Sequence, residues 1–310
     1  MVGYVDLQVN GYAGVDFNDA DLTAEALDHA LAAMAAGGVA QCLPTVITAS
    51  VDDMAARLHA LDRAVAGSRL GPGMVPGYHL EGPFLNPAPG FRGCHPAEHM
   101  IVPDVAVAAR LMAGLQRPVL MLTLAAEQPG AAALIRWLTG RGVVVAIGHS
   151  DAGAAVVMAA VAAGAAMSTH LGNGLPGVLP KLDNPIMAQL GEDGLAAGFI
   201  ADGIHVPVPA LRAMVRAKGP GRAILVTDAV AAAGAPPGLY GFAGMVVEGR
   251  ADGSARLPGT GALAGSALTM AQAVRNVVAW GVATPAEAQA MAAAAPAALL
   301  ARALRGRTVS

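Results

Sequence analysis

The chain has 310 residues, of which 55% are hydrophobic and only 4% aromatic, and its formal net charge is −3. This length accommodates one large α/β domain or two smaller ones, and the near-neutral charge argues against a polybasic surface for nucleic acid or an anionic membrane. Neither a signal peptide nor a membrane-spanning run nor a disulfide framework is recognisable, so we expect a soluble, cytoplasmic protein.

Short apolar runs alternate with alanine- and leucine-rich amphipathic stretches along the chain. The predicted strands are 4–9, 41–46, 74–80, 119–124, 143–147, 166–169, 197–201 and 223–227. The predicted helices are 23–36, 51–66, 105–115, 131–138, 154–163, 185–190, 210–216, 266–278 and 285–304. Eight strands, each followed by a helical segment, favour a (β/α)8 TIM-like barrel over a doubly wound sheet.

Two segments interrupt this alternation. Residues 83–103 form a long Pro/Gly-rich stretch after the third strand, and residues 231–262 form an insertion after the eighth, with strand-like pieces such as GMVVEG. Long ordered loops on the catalytic side of a barrel are usually functional. Because no linker or composition break divides the chain, we expect residues 1–310 to form a single catalytic barrel with a β-hairpin-like insertion at about 231–262.

Acidic and imidazole side chains recur at the predicted C-terminal ends of five strands, where the active sites of such barrels lie. They are His79 and Glu81 on strand three, His149 on strand five, His170 on strand six, Asp202 and His205 after strand seven, and Asp228 on strand eight. A carboxylate and two histidines on strands three, five and six could bind zinc through three protein ligands, with an open position for water.

Each of these residues also has a structural interpretation. A single histidine at a strand end is more often a hydrogen-bonded structural residue than a metal ligand, but acidic or imidazole groups at the ends of five strands are difficult to explain by packing. His79 shares a strand face with Glu81, so a supporting role and a ligand role are equally expected. We assign Asp228 the role of general base, ahead of a fourth metal ligand or a helix N-cap. The remaining residues of these types are expected to be structural: His29, His59, His99, Cys42 and, as a small apolar residue, Cys94.

Eight segments of the chain resemble N-acetylglucosamine-6-phosphate deacetylases of the amidohydrolase superfamily. In the family's order, from about residue 4 to residue 270, they are DLQVNGYAGVDFN, HLEGPFLNP, GCHP, IGHSDA, STHLGNG, ADGIHV, LVTDAV and LAGSALTM. The resemblance implies hydrolysis of the N-acetyl group of an amino sugar phosphate to the free amine and acetate, in amino sugar metabolism.

The resemblance also implies residue roles. One divalent metal ion per chain, usually zinc, would bind to Glu81, His149 and His170, although the same ligands accept iron, manganese or cobalt. Asp228 would be the catalytic base and acid, and His95 would polarise the acetyl carbonyl. The substrate-binding residues would be Cys94, His95, Asn173, Gly174, Asp202, His205, Leu263, Ala264 and Gly265. By analogy, we expect a homodimer.

The first strand carries Gln8 and Asn10, where many amidohydrolases have His-x-His and bind two metals. Neutral amides have lower affinity for transition metals. The region of strand four also lacks the lysine that binuclear relatives carboxylate, since the only lysines are Lys181 and Lys218. We therefore predict a mononuclear site, with Gln8 and Asn10 filling the vacant second-metal pocket through hydrogen bonds.

Two features depart from the family pattern. Lys181 stands eleven residues after His170, where the family has an arginine that binds phosphate, and lysine lacks the bidentate fork of arginine. Lys181 is interpreted as a phosphate ligand or as a solvated loop residue. The small β-sandwich of the family is either absent or encoded upstream. The alternatives are a deacetylase of another N-acyl amino sugar, phosphorylated or not, and a non-catalytic sugar-binding barrel.

Overall fold

Eight parallel strands close into a barrel in the computed structural model, which describes residues 3–306. Numbered along the chain, the strands are β1 (Tyr4–Val9), β2 (Gly11–Tyr12), β3 (Val15–Asp16), β4 (Val39–Ile47), β5 (Tyr78–Glu81), β6 (Val119–Leu124), β7 (Val144–Ile147), β8 (Ala165–Ser168), β9 (Ala196–Ile200), β10 (Ala223–Val226), β11 (Gly238–Phe242), β12 (Met245–Gly249), β13 (Ser254–Arg256) and β14 (Leu263–Ser266). The barrel consists of β1 and β4–β10, each paired in parallel with the next. The predicted (β/α)8 barrel is confirmed.

The first and last barrel strands, β1 and β10, meet along one seam. The backbone N–H of Asp228, just after β10, donates to the carbonyl of Gln8 (2.9 Å). Deeper in the barrel, Thr227 donates to the buried carboxylate of Asp6 through its hydroxyl (2.5 Å) and its N–H (3.2 Å). The seam therefore fixes the end of the eighth barrel strand against the end of the first.

Helices pack against the outside of the barrel. They are α1 (Ala24–Ala36), α2 (Val51–Gly67), α3 (Gly71–Met74), α4 (Val105–Met112), α5 (Ala131–Thr139), α6 (Ala154–Ala163), α7 (Pro185–Gly191), α8 (Val208–Lys218), α9 (Met270–Ala279), α10 (Pro285–Gln289) and α11 (Ala295–Gly306). A π-helical turn, Ala290–Ala294, divides the predicted helix 285–304 into α10 and α11. Among residues 3–306, none of the helices has the length and apolar character needed to cross a bilayer.

Side-chain capping sets the starts of many of these helices. Ser, Thr, Asp and Asn at the N-cap accept a hydrogen bond from a backbone N–H of the first turn. The capping residues are Thr23, Ser50, Asp104, Asn184, Thr269 and Thr284. Most predicted helix boundaries therefore lie within a few residues of those in the structure.

Three predicted elements were wrong in extent. The predicted helix 266–278 begins only at Met270, because Ser266 still belongs to β14 and Thr269 is the N-cap. The predicted strand 74–80 begins only at Tyr78, because Gly71–Met74 forms a helical turn and Pro76 lacks the N–H that a central strand donates. The predicted helix 105–115 stops before Gly114, whose φ of 72° belongs to the left-handed region that ends helices.

A four-stranded antiparallel sheet, β11–β14, lies beside the C-terminal end of the barrel. Its buried face includes Phe242, Val247 and Ala255, which pack with Ile47 of β4 and Val230 in one apolar cluster. The predicted insertion at 231–262 contains β11, β12 and β13, and β14 follows it. The sheet therefore adds a wall to that end of the barrel.

Candidate active site

A cavity of about 250 Å³ opens at the C-terminal ends of the barrel strands. The sequence-predicted site residues that line it are Asn10, Glu81, Cys94, His95, His149, His170, Asn173, Gly174, His205, Asp228, Leu263 and Gly265. The cavity thus brings together residues of β5 and β14 with residues of the turns and loops that follow β1, β5, β7, β8, β9 and β10. It also has lining residues that sequence reasoning missed: Ile47, Gly90, Gly93, Gly172, Leu175 and Phe242.

Four predicted site residues lie outside the cavity lining. Gln8 lies behind it, hydrogen-bonded to two carboxylates that do line it. Asp202 accepts a 2.6 Å hydrogen bond from Nδ1 of His205, so it orients that imidazole. Ala264 is buried in β14. Lys181 is exposed in the loop before α7.

Glu81, at the end of β5, is the centre of the polar cluster. Its Oε1 lies 2.9 Å from Nε2 of His170 and 3.3 Å from Nε2 of His149, and its Oε2 lies 3.8 Å from Nε2 of His95. All four side chains are buried. Ligand atoms of Glu81, His95 and His149 lie within 4.8 Å of one another, so His95 together with two of the predicted ligands could hold a metal ion.

His149 provides a direct test of whether these residues fit a metal ion. Its Nδ1 lies 2.7 Å from the carbonyl of Phe91, and because a carbonyl only accepts, Nδ1 carries the proton. Nε2 therefore presents a lone pair toward the carboxylate of Glu81, and it has no hydrogen-bond partner among the described residues. A buried lone pair facing a buried carboxylate is unfavourable unless a cation lies between them. The donor set fits a divalent metal ion.

Burial and charge shift the pKa values of the cluster in different directions. Burial alone would raise the pKa of Glu81, but its close contacts with the imidazoles of His149 and His170 hold it well below its usual value. Burial likewise opposes the charged form of His170, but the hydrogen bond and charge of Glu81 raise its pKa. Burial and the neighbouring His149 lower the pKa of His95 to about 3. His95 is therefore a neutral imidazole near pH 7.

Asp228 occupies the side of the cavity formed by the seam of the barrel. Its Oδ1 accepts hydrogen bonds from Nδ2 of Asn10 (2.8 Å) and from Nε2 of Gln8 (3.2 Å). The same Gln8 nitrogen lies 3.2 Å from Oε2 of Glu81, so one amide bridges two carboxylates. Burial and the charge of Glu81 raise the pKa of Asp228 to about 6, which places it in the range of a general base near neutral pH.

Three of the polar residues adopt positive φ at strand ends. The angles are 52° for His149, 26° for His170 and 49° for Asp228. Non-glycine residues in this region are strained, and such strain clusters at functional sites. Contacts with surrounding residues therefore hold these three backbones in a conformation that an ordinary strand end does not adopt.

His79 supports the site from below and lies outside the cavity lining. Its Nε2 lies 2.8 Å from the hydroxyl of Thr123, which lies 2.6 Å from that of Thr169. Burial lowers the pKa of His79 to about 4, so the ring is neutral within a hydrogen-bonded network. Of the two roles weighed for His79, this position favours the supporting one.

Asp6 is a buried polar residue that sequence reasoning did not select. It accepts hydrogen bonds from Thr227 (2.5 Å) and from the backbone N–H of Gln8 (3.3 Å), and burial raises its pKa to about 7. The sequence did indicate this residue, because every second side chain of a strand points to the same face, so Asp6 shares a face of β1 with Gln8. Asp6 therefore belongs to the framework that orients Gln8.

Comparison with protein-family models finds no match for this chain. Among curated proteins, it is 37% identical over 298 residues to N-acetylgalactosamine-6-phosphate deacetylase from Escherichia coli O157:H7, a match that covers 96% of this chain and 77% of that one. It is 34% identical over 283 residues to N-acetylglucosamine-6-phosphate deacetylase from Lysinibacillus sphaericus, covering 89% of this chain and 70% of that one.

Solved structures are also similar to this fold. A variant of N-acetyl-D-glucosamine-6-phosphate deacetylase from Mycobacterium smegmatis, in complex with N-acetyl-D-glucosamine-6-phosphate, superposes with a TM-score of 0.88 at 32% identity, covering 97% of this chain and 77% of that one. The N-acetylglucosamine-6-phosphate deacetylase from Thermotoga maritima gives a TM-score of 0.84 at 28% identity, covering 99% and 80%.

Proposed function

The chain belongs to the N-acetylglucosamine-6-phosphate deacetylase family, and from this premise we propose that it hydrolyses N-acetylglucosamine-6-phosphate to glucosamine-6-phosphate and acetate. The observation that carries the proposal is the unpaired Nε2 of His149 facing Glu81, across the cavity that also holds Asp228. This arrangement suits a metal-dependent amidohydrolase.

In this proposal, Glu81, His149 and His170 hold one divalent metal ion, with zinc as the expected ion. When bound, such an ion lowers the pKa of water toward neutrality and polarises a carbonyl. Asp228 takes the proton of the attacking water and returns it to the departing nitrogen. Its Oδ1 is engaged by Asn10 and Gln8, which restrict how the carboxylate can turn.

His95 is proposed to donate a hydrogen bond to the acetyl oxygen as charge develops on it. Its low pKa supports this role, because a neutral imidazole can donate a proton in a hydrogen bond without releasing it. The alternative role of His95 is that of a metal ligand, which the short distances between its ligand atoms and those of Glu81 and His149 support. If His95 polarises the carbonyl, His95→Asn should retain the metal and reduce kcat, whereas loss of the metal would assign it as a ligand.

The sugar is proposed to contact both the polar and the apolar parts of the lining. Cys94, Asn173, Gly174, His205, Leu263 and Gly265 line the cavity, and Ala264 and Asp202 hold their neighbours in place. Lys181 is proposed to bind the phosphate, because it belongs to the same loop as Asn173 and Gly174, between β8 and α7. The single catalytic domain and the cytoplasmic location are proposed from the sequence, and the homodimer from the family resemblance; sedimentation would test the dimer.

A second substrate, N-acetylgalactosamine-6-phosphate, is favoured by the 37% identical relative that is named for it. The two sugars differ only in configuration at one hydroxyl, so the same metal, base and acetyl contacts would serve both.

The test is amine release from both phosphorylated sugars and from unphosphorylated N-acetylglucosamine, with protein whose metal content has been measured. We expect about one metal ion per chain and faster turnover of a phosphorylated substrate. The matched control is Glu81→Gln, which removes a proposed ligand charge and should lose both metal and activity. If the protein binds metal but hydrolyses none of these N-acetylated sugars, the proposed reaction is wrong. If the wild-type protein contains no metal, the proposed metal site is wrong.

A further inference from the structure

We propose that Glu127 is a positioning residue that holds His149 and the loop 83–103 in their functional geometry. Glu127 follows β6 and lies outside the cavity lining, half-buried between three loops. It therefore acts through its neighbours and not on the substrate. This inference rests on the metal site of the proposed function.

The carboxylate of Glu127 accepts hydrogen bonds from three separate loop positions. Oε1 accepts from Nδ2 of Asn86 (2.8 Å) and from the backbone N–H of Asp151 (2.8 Å). Oε2 accepts from the hydroxyl of Ser150 (2.5 Å), which itself accepts from the N–H of Ala126 (3.2 Å). One side chain thus ties the loops after β5, β6 and β7 together.

These partners lie directly on either side of the proposed metal ligand His149. Ser150 and Asp151 follow it in the chain, and the backbone N–H of Asn86 donates to its carbonyl (3.1 Å). The loop that begins near Asn86 also supplies the carbonyl of Phe91, which accepts the 2.7 Å hydrogen bond from Nδ1 of His149. Glu127 therefore fixes both the backbone of His149 and the loop that sets its tautomer.

The backbone of His149 needs such support. Its φ of 52° lies in the left-handed region, where a non-glycine residue persists only if its surroundings hold it there. Without the three hydrogen bonds of Glu127, the turn could relax and the ring could leave the carbonyl of Phe91. Loss of groups that orient metal ligands typically weakens metal affinity by about 10- to 100-fold.

The experiment compares Glu127→Ala, Glu127→Gln and Glu98→Ala. The glutamine retains an amide oxygen for Asn86 and Asp151, and its NH2 can donate to the hydroxyl of Ser150, so it should restore most of the function. Glu98 is an exposed glutamate of the same loop 83–103 and serves as the matched control. Two quantities are measured: the zinc dissociation constant and, on metal-free protein, the rate of tryptic cleavage after Arg92, which is exposed in that loop.

We expect Glu127→Ala to raise the zinc dissociation constant by about 10- to 100-fold and to accelerate cleavage after Arg92. Both quantities should be close to the wild-type values in Glu127→Gln and equal to them in Glu98→Ala. If Glu127→Ala does not fold, Ser150→Ala removes one of the three hydrogen bonds and should change both quantities in the same direction, to a smaller extent.

The inference is overturned if Glu127→Ala lowers Tm but leaves zinc affinity and cleavage after Arg92 equal to those of Glu98→Ala. Failure of the proposed function has a different signature. In that case wild type and Glu81→Gln bind zinc equally weakly, while cleavage after Arg92, measured without metal, still shows whether Glu127 holds the loop.

Discussion

The side-chain amide of Asn10 donates a 2.8 Å hydrogen bond to Oδ1 of Asp228, across the seam that closes the barrel. An amide donor at this position stabilises the carboxylate without bringing a second metal ligand of high affinity. The proposed catalytic base is therefore oriented by a residue that cannot itself transfer a proton.

Replacing Asp228 by Asn should abolish turnover and leave the metal in place. The substitution removes the group that accepts and returns a proton, and general acid–base catalysis typically contributes about 10²- to 10⁴-fold in rate. The measurements are kcat and metal content. Asp252→Asn, at an exposed position, is the control and should behave as wild type. Comparable activity in Asp228→Asn would remove Asp228 from the mechanism.

Replacing Asn10 by Ala should lower kcat and leave the metal content unchanged. Hydrogen bonds to charged groups contribute about 1.5–3 kcal/mol, and Asp228 would lose the shorter of the two that its Oδ1 receives from amides. Steady-state kinetics and metal analysis would check this. An unchanged kcat would show that Gln8 alone orients the carboxylate.

Removing the metal should inactivate the enzyme reversibly. Dialysis against a chelator is expected to give metal-free protein without turnover, and stoichiometric zinc should restore the activity, because the ligands sit on barrel strands and their adjoining turns. Glu81→Gln treated in the same way should regain no activity. Full activity after verified metal removal would contradict a metal-dependent mechanism.

Replacing Gly174 by Ala should disturb the metal site directly. A Cβ at this position would lie 2.5 Å from Nδ1 of His149, and the residue has a φ of 62°, which strains any L side chain. We expect loss of metal affinity and activity with the barrel still folded, measured by zinc titration and circular dichroism. Gly177→Ala is the matched control, because its Cβ meets no heavy atom within 4 Å among the described residues. Equal zinc affinity in the two variants would contradict the geometry.

Replacing Lys181 by Ala tests the proposed phosphate contact. We expect KM for the phosphorylated sugar to rise and KM for the unphosphorylated sugar to stay the same, since only the phosphate would lose a charge partner. Lys181→Arg should retain or improve binding, because arginine offers two parallel donors to phosphate. Arg216→Ala, at an exposed position on α8, controls for net charge. If the substitution changes KM equally for both sugars, Lys181 is a solvated loop residue and does not bind the phosphate.

Much of the barrel could be predicted from the sequence because it depends on local patterns. Strands β1 and β6 and helix α6 were predicted with the bounds that the structure shows. The polar residues at strand ends were identified by their position alone, since parallel barrel strands present their C-terminal ends to one site. Glu81, His149, His170 and Asp228 indeed line one cavity.

The parts that the sequence did not predict depend on contacts between distant segments. Ile47 and Phe242 line the cavity, but they read as ordinary apolar residues of a strand and an insertion. In the sequence, Glu127 is an ordinary loop carboxylate, and only the structure shows that Asn86 and Ser150 donate hydrogen bonds to it. Lys181, expected at the site from its spacing after His170, lies exposed in the loop before α7, and its phosphate contact stays a prediction.

The seam between β1 and β10 also has a kinetic consequence. The hydroxyl of Thr227 donates to Asp6, and the two residues are separated by 221 positions in the chain. The two halves of the site therefore come together only when the last barrel strand docks against the first. Contacts of such high sequence separation form slowly. In refolding experiments we therefore expect barrel secondary structure to return before activity, and the delay between the two signals would measure the time that the barrel needs to close.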